Sequence, residues 1–123
     1  MTKIDVAVMG ASGTTGFAWV AQRIAKRLSD GHPYFNLAAL ISDDPKHDGK
    51  PFSECMTWYG PDELPRELGK KKMVAADPDR LSKFGDIKLV ISALPPALSV
   101  ELDPVCPKAG IPVVSESPGF RAA

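Results

Sequence analysis

The sequence predicts an α/β domain built on a doubly wound parallel sheet. Three observations lead there. Short apolar runs alternate with segments of helical period, the pattern of strands separated by helices. The first run, VAVM at 6–9, empties into a turn with glycines at 10, 13 and 16, and that turn opens a helix. Strands joined through helices pair in parallel, with right-handed crossovers that cover both faces of the sheet. At 123 residues the chain has the size of one domain.

Lys3–Met9 reads as a buried strand, apolar on both sides after Asp5. Phe17, Val20, Ala21, Ile24 and Leu28 then recur at helical spacing, with Gln22, Arg23, Lys26 and Arg27 on the other face. Ser29-Asp30-Gly31 is a stop signal, and His32-Pro33 enforces an extended turn. Asn36–Ser42 is the second strand. Residues 43–60 are polar, with Gly49, Pro51 and Gly60, and predict a loop with at most a short helical piece. Glu63–Leu68 predicts one or two helical turns, Met73–Ala76 a third strand, and Pro78–Phe84 a short helix. Ile87–Leu94 is a fourth strand. Pro95-Pro96 starts a helix that Pro104 and Pro107 shorten or kink. Ile111–Ser115 is the last strand.

Fifteen basic residues balance fifteen acidic ones. That balance offers no basic surface for nucleic acid or an anionic membrane. No apolar run approaches the length of a membrane span, and MTKIDVAVMG reads as a strand start, not a signal peptide. Cys55 and Cys106 have no CxxC or histidine partner and read as free thiols of a reducing cytoplasm. No metal set is visible.

The glycine turn carries the first chemical signal. A strand–turn–helix context suits a dinucleotide, and makes the arrangement Rossmann-like. Gly10 allows the tight turn, Gly13 lets a pyrophosphate approach the backbone, and Gly16 lets the helix pack on the sheet. Ser12, Thr14 and Thr15 add hydroxyls, and free amides at a helix start suit an anion. The same spacing, GxxGxxG, also suits a turn that only packs a helix. The end of the second strand meets the adenosine ribose in this fold. Asp43 or Asp44 suits ribose hydroxyls, Ser42 and Lys46 a 2′-phosphate, and the whole stretch also suits a solvated charged loop.

Together, GASGTTG (10–16), HPYFNLAAL (32–40), GKPFSE (49–54), ADP (76–78), SALPPALSVELDP (92–104), KAGIPVVS (108–115) and ESPGFR (116–121) resemble the N-terminal cofactor domain of aspartate-semialdehyde dehydrogenases. They look most like the branch that includes malonyl-coenzyme A reductase. The resemblance covers nearly the whole chain and implies NADP as cofactor, with NAD open. It implies that Gly10, Ala11, Ser12, Gly13, Thr14, Thr15 and Gly16 hold the pyrophosphate. It implies that Ser42 meets the 2′-phosphate, with Asp43 and Lys46 beside it. Ser92, Ala93, Leu94 and Pro95 then line the nicotinamide side. Three departures stand out: Asp43-Asp44 where the family often has an arginine, Glu116 for an asparagine, and Phe120 for a histidine.

The family's reaction reduces an acyl phosphate or acyl thioester to an aldehyde on a cysteine, with a histidine as base. In the family both lie in a second domain, and neither Cys55, Cys106, His32 nor His47 matches them. The chain therefore reads as the dinucleotide-binding domain, residues 1–123, of an oxidoreductase whose catalytic domain is elsewhere. A standalone nucleotide-binding or regulatory module and a domain that has lost its nucleotide are the alternatives. A catalytic partner chain or self-association is expected; Trp19 suits an exposed contact, and suits equally a ring lying over neighbouring aliphatic stems.

Overall fold

The computed structural model describes residues 3–12, 16–42, 44–59, 63–77, 79, 87–93, 105–108 and 110–115. Strand β1 (Ile4–Met9) leads to helix α1 (Gly16–Ser29) and strand β2 (Phe35–Ser42). Two 3-10 turns, Pro45–His47 and Phe52–Glu54, precede helix α2 (Arg66–Lys70) and strand β3 (Met73–Ala75). Strand β4 (Leu89–Ser92), a helical turn α3 (Val105–Lys108) and strand β5 (Val113–Ser115) complete the described elements. The five strands form one sheet in the order β3-β2-β1-β4-β5. Every pairing is parallel, so the fold is the Rossmann-like α/β sheet expected from the strand–helix alternation. The helices expected at Pro78–Phe84 and after Pro95 fall largely outside the described residues.

Side-chain alternation along β1 builds two cores. Val6 and Val8 join Ala21, Ala25 and Leu28 of α1, while Ala7 and Met9 join Ala39, Ile41, Val74, Val90 and Ile111. Along β2 the alternation breaks once. Val6 pairs with Leu37 but Ala7 pairs with Ala39, so Ala38 is an extra residue, a bulge. Leu37 and Leu40 consequently share the α1 face although they are three residues apart. The shift has a consequence two residues on. Ser42 follows Leu40 onto the α1 face, where the glycine turn begins.

The 44–59 stretch is more than a polar loop. Phe52 is wholly buried and Cys55 nearly so, both in the α1-side core, with Met56 and Trp58 packed against it. Backbone pairing holds the stretch in place. Gly49 N–H donates to Met73 O at 2.8 Å, Met73 N–H to Lys50 O at 2.9 Å, and Phe52 N–H to Lys71 O at 2.8 Å. Composition alone concealed this, because the apolar residues here follow neither strand nor helix period.

Candidate functional site

The chain runs from β1 through β2 to β3 on one side and from β4 to β5 on the other. The order therefore reverses between β1 and β4, and open α/β sheets bind ligands at the carboxyl ends of the strands at such a point. Gly10 follows Met9 with φ of +107°. A side chain there would strain the backbone, so glycine lets β1 leave the sheet abruptly. On the β4 side, Ser92 pairs with Met9 in register, and Ala93 N–H donates to Met9 O at 3.0 Å. Ala11 and Ala93 share the α1-side core. Residues 10–12 and 92–93 are thus neighbours at the switch point, although about eighty positions separate them.

Ala11 turns its carbonyl inward. Gln22 Nε2 donates to it at 3.0 Å and to Thr57 O at 2.8 Å, while Gln22 Oε1 accepts from Tyr59 N–H at 2.8 Å. The amide is 1% exposed and uses both N–H donors and its oxygen, so its burial leaves nothing unpaired. Gln22 was expected on the solvent face of α1. It lies on the packed face because Ala18 is four residues before it and Ala25 three after, and the partners come from a loop distant in sequence. By occupying the Ala11 carbonyl, Gln22 removes an acceptor that would otherwise repel an anion at the turn.

At the end of β2, Ser42 is 1% exposed and Ser12 is 7%. Their hydroxyl oxygens lie 3.2 Å apart. Ser42 Oγ also accepts from Asp44 N–H at 3.1 Å and lies 2.7 Å from His47 Nδ1. Asp44 caps the 45–47 turn: its Oδ1 accepts from Lys46 N–H at 2.9 Å, and its Oδ2 stands 3.9 Å from His47 Nε2. The Lys46 side chain itself is exposed.

Of the residues expected at the site, the structure brings Gly10, Ala11 and Ser12 together with Ser42, Ser92 and Ala93. Ser92 and Ala93 stand at the expected strand end with buried side chains. Gly16 begins α1. Gly13, Thr14, Thr15, Asp43, Leu94 and Pro95 lie outside the described residues, as do Glu116, Phe120 and the Trp19 side chain. His47 is the residue that sequence reasoning undervalued. The sequence shows only that it does not match the family's base, and the structure joins it to Ser42. The signal was Asp44-Pro45, which starts a tight turn that folds His47 back onto the strand end.

Cys55 is buried, and its thiol donates to Pro51 O at 3.3 Å. Burial pushes the thiol above its ordinary range; Lys50 opposes the rise, and Glu54 and Asp44 add to it. A thiol held protonated is a poor nucleophile. His32 accepts backbone N–H groups of Tyr34 and Phe35 at 3.1 and 3.2 Å, a structural role in its turn. Among the described residues, no His, Cys, Asp and Glu side chains gather to hold a metal ion. No described helix is long and apolar enough to cross a membrane.

Comparison with known proteins places this geometry. The family model described as "Semialdehyde dehydrogenase, NAD binding domain" matches residues 5–123. An aspartate-semialdehyde dehydrogenase of Methanothermobacter thermautotrophicus is 34% identical over 101 residues, which are 82% of this chain and 26% of the relative. An NADP malonyl-CoA reductase of Metallosphaera sedula is 26% identical over 118 residues, 96% of this chain and 30% of the relative. Among solved structures, the Candida albicans aspartate-semialdehyde dehydrogenase with NADP superposes with a TM-score of 0.79 at 25% identity, covering 98% of this chain and 31% of the other. The chain spans roughly a quarter to a third of the length of these relatives. A parallel sheet that reverses its order beside a glycine turn, with a match running from residue 5 to residue 123, has one reading: the chain belongs to the semialdehyde dehydrogenase family, as its NAD-binding domain.

Proposed function

We propose that this chain holds NADPH for a reductase of the semialdehyde dehydrogenase type, which converts an acyl phosphate or acyl thioester to an aldehyde. The observation that carries the reading is the contact between Ser12 and Ser42, which joins the glycine turn to the ribose end of β2 within a chain of this family. Gly10, Ala11, Ser12, Gly13, Thr14, Thr15 and Gly16 would hold the pyrophosphate. Ser42, Asp43 and Lys46 would meet the adenosine 2′ position, and Ser92, Ala93, Leu94 and Pro95 the nicotinamide side. The residues present suit an anionic dinucleotide: Gly10 carries no side chain at a left-handed turn, and the Ala11 carbonyl is turned onto Gln22. When bound, NADPH supplies the hydride, and this chain supports and orients it.

The nucleophilic cysteine belongs elsewhere in this reading. Burial keeps the Cys55 thiol protonated and packed in the core. A catalytic domain or partner chain carrying cysteine and histidine completes the site. Strand β5, the last of the described sheet, where Val114 is 49% exposed, suits such an association.

Calorimetric titration of the chain with NADPH and then NADH tests the reading. Binding of either is expected, with NADPH preferred. Gly13→Val should abolish it, since a branched side chain would fill the space the pyrophosphate needs. Absence of binding by both dinucleotides would overturn the reading.

A further inference from the structure

The hydroxyl of Ser42 is fully used. A serine hydroxyl has one proton to donate and two lone pairs to accept with. Asp44 N–H takes one lone pair at 3.1 Å. Ser12 Oγ at 3.2 Å and His47 Nδ1 at 2.7 Å share the proton and the other lone pair. The Asp44 carboxylate, 3.9 Å from Nε2, favours the imidazole proton on that nitrogen. Nδ1 of the neutral ring is then an acceptor, and its 2.7 Å contact takes the Ser42 proton. In that state Ser42 has no hydrogen left for a ligand.

Protonation of His47 reverses the bond. The imidazolium carries hydrogen on both nitrogens, so Nδ1 donates to Ser42 Oγ. The Ser42 proton is then released to turn toward a new acceptor. The residue at the end of the second strand of this fold faces the adenosine 2′ position, where NADP carries a phosphate and NAD a hydroxyl. We propose that His47 is a positioning residue for cofactor choice: by taking one proton from solvent it frees the Ser42 hydroxyl to donate to a 2′-phosphate oxygen. The proposal rests on the cofactor reading above, and concerns which dinucleotide is held and at what pH.

The charges around His47 are few. Asp44 caps the same turn, Lys46 precedes the ring and Asp48 follows it, and Lys50 N–H donates to His47 O at 3.0 Å. Asp48 is engaged elsewhere, accepting from Ala75 N–H at 2.9 Å. The described strand segments beside the turn, Leu40–Ser42 and Met73–Ala75, bring no titratable side chain. A 2′-phosphate would be the strongest anion in this neighbourhood, and binding it favours the imidazolium in turn.

The test is titration with NADPH and NADH between pH 6 and pH 8, in buffers of different ionisation enthalpy, for the chain itself and for His47→Asn and Ser42→Ala. The amide N–H of asparagine stands in for a permanently protonated Nδ1. The NADPH affinity of His47→Asn relative to wild type should grow about tenfold across the range, the value of one hydrogen bond to a charged group. The phosphate's own ionisation cancels in that ratio. Wild type should take up a proton with NADPH beyond that seen in His47→Asn, and none with NADH. Ser42→Ala should weaken NADPH and lose the His47-dependent part of the pH profile, because the imidazolium acts through that hydroxyl. A far-UV circular dichroism spectrum and unfolding transition like those of wild type show that each variant is folded. An affinity ratio that stays flat with pH, or a His47-dependent profile that survives in Ser42→Ala, overturns the proposal and leaves the cofactor reading standing. A wild-type chain that binds NADH and never NADPH does the same. Failure to bind either dinucleotide overturns the cofactor reading, and this proposal with it.

Discussion

Gln22 Nε2 donates to the Ala11 carbonyl across 3.0 Å of buried space, and this bond couples helix α1 to the turn that follows β1. The same side chain reaches Thr57 O and Tyr59 N–H, each at 2.8 Å. One amide therefore sets the turn, the helix and the 56–59 loop relative to one another.

Gln22→Leu should cost about 3 kcal/mol of stability, measured by urea denaturation, because it strips the buried Ala11 carbonyl, the Thr57 carbonyl and the Tyr59 N–H of their shared partner. Gln22→Glu adds a pH signature. A carboxylate only accepts, so it faces two carbonyl oxygens, and its folded pKa is raised above the unfolded value. The variant's stability should therefore be greatest below the ordinary glutamate range and fall as pH rises through the raised value. A pH-independent loss would refute the role assigned to Nε2.

Gly10→Ala should destabilise the fold by about 1–3 kcal/mol through its left-handed φ and weaken dinucleotide binding. Gly31→Ala separates the two effects. Gly31 has φ of +102° and open space where a Cβ would stand, so it should cost comparable stability and leave binding unchanged.

Phe52→Ala should cost about 3–5 kcal/mol, the usual loss for an aromatic removed from a closed core. Thermal unfolding checks it. A loss under about 1 kcal/mol would show that the 49–59 stretch does not form part of the cooperative fold.

Cys55 should react slowly with iodoacetamide at pH 8 in the folded chain and at an ordinary rate in urea. Burial raises its thiol, so the thiolate fraction is small there. The raised pKa also has a stability sign. Its contribution is present below the ordinary thiol range and is lost as pH rises through the folded value. Cys55→Ser should flatten that alkaline part of the stability profile.

Strand–helix alternation and the glycine turn were legible because their determinants are local. A strand shows as a short apolar run, a helix as a repeating stripe, and a tight turn as glycine. Those patterns were enough to anticipate the five described strands, α1, and the place of Gly10 and Ser12 in the turn at the carboxyl end of β1. Fold reasoning pointed to the end of β2 and Ser42, and the family resemblance added the end of β4, with Ser92 and Ala93.

Other features were decided only by contacts between distant segments. Ser42 faces the glycine turn because Ala38 inserts into β2 opposite β1, and a parity shift becomes visible only when two strands are paired. Gln22 is a buried clamp because Thr57 and Tyr59 return over α1 to meet it. His47 meets Ser42 because a capped turn folds it back on the end of β2. Sequence by itself determined which elements form, since backbone propensity and periodicity act within a few residues. Tertiary structure decided which polar groups they bring together, since a buried donor settles on whatever acceptor the packed chain places beside it.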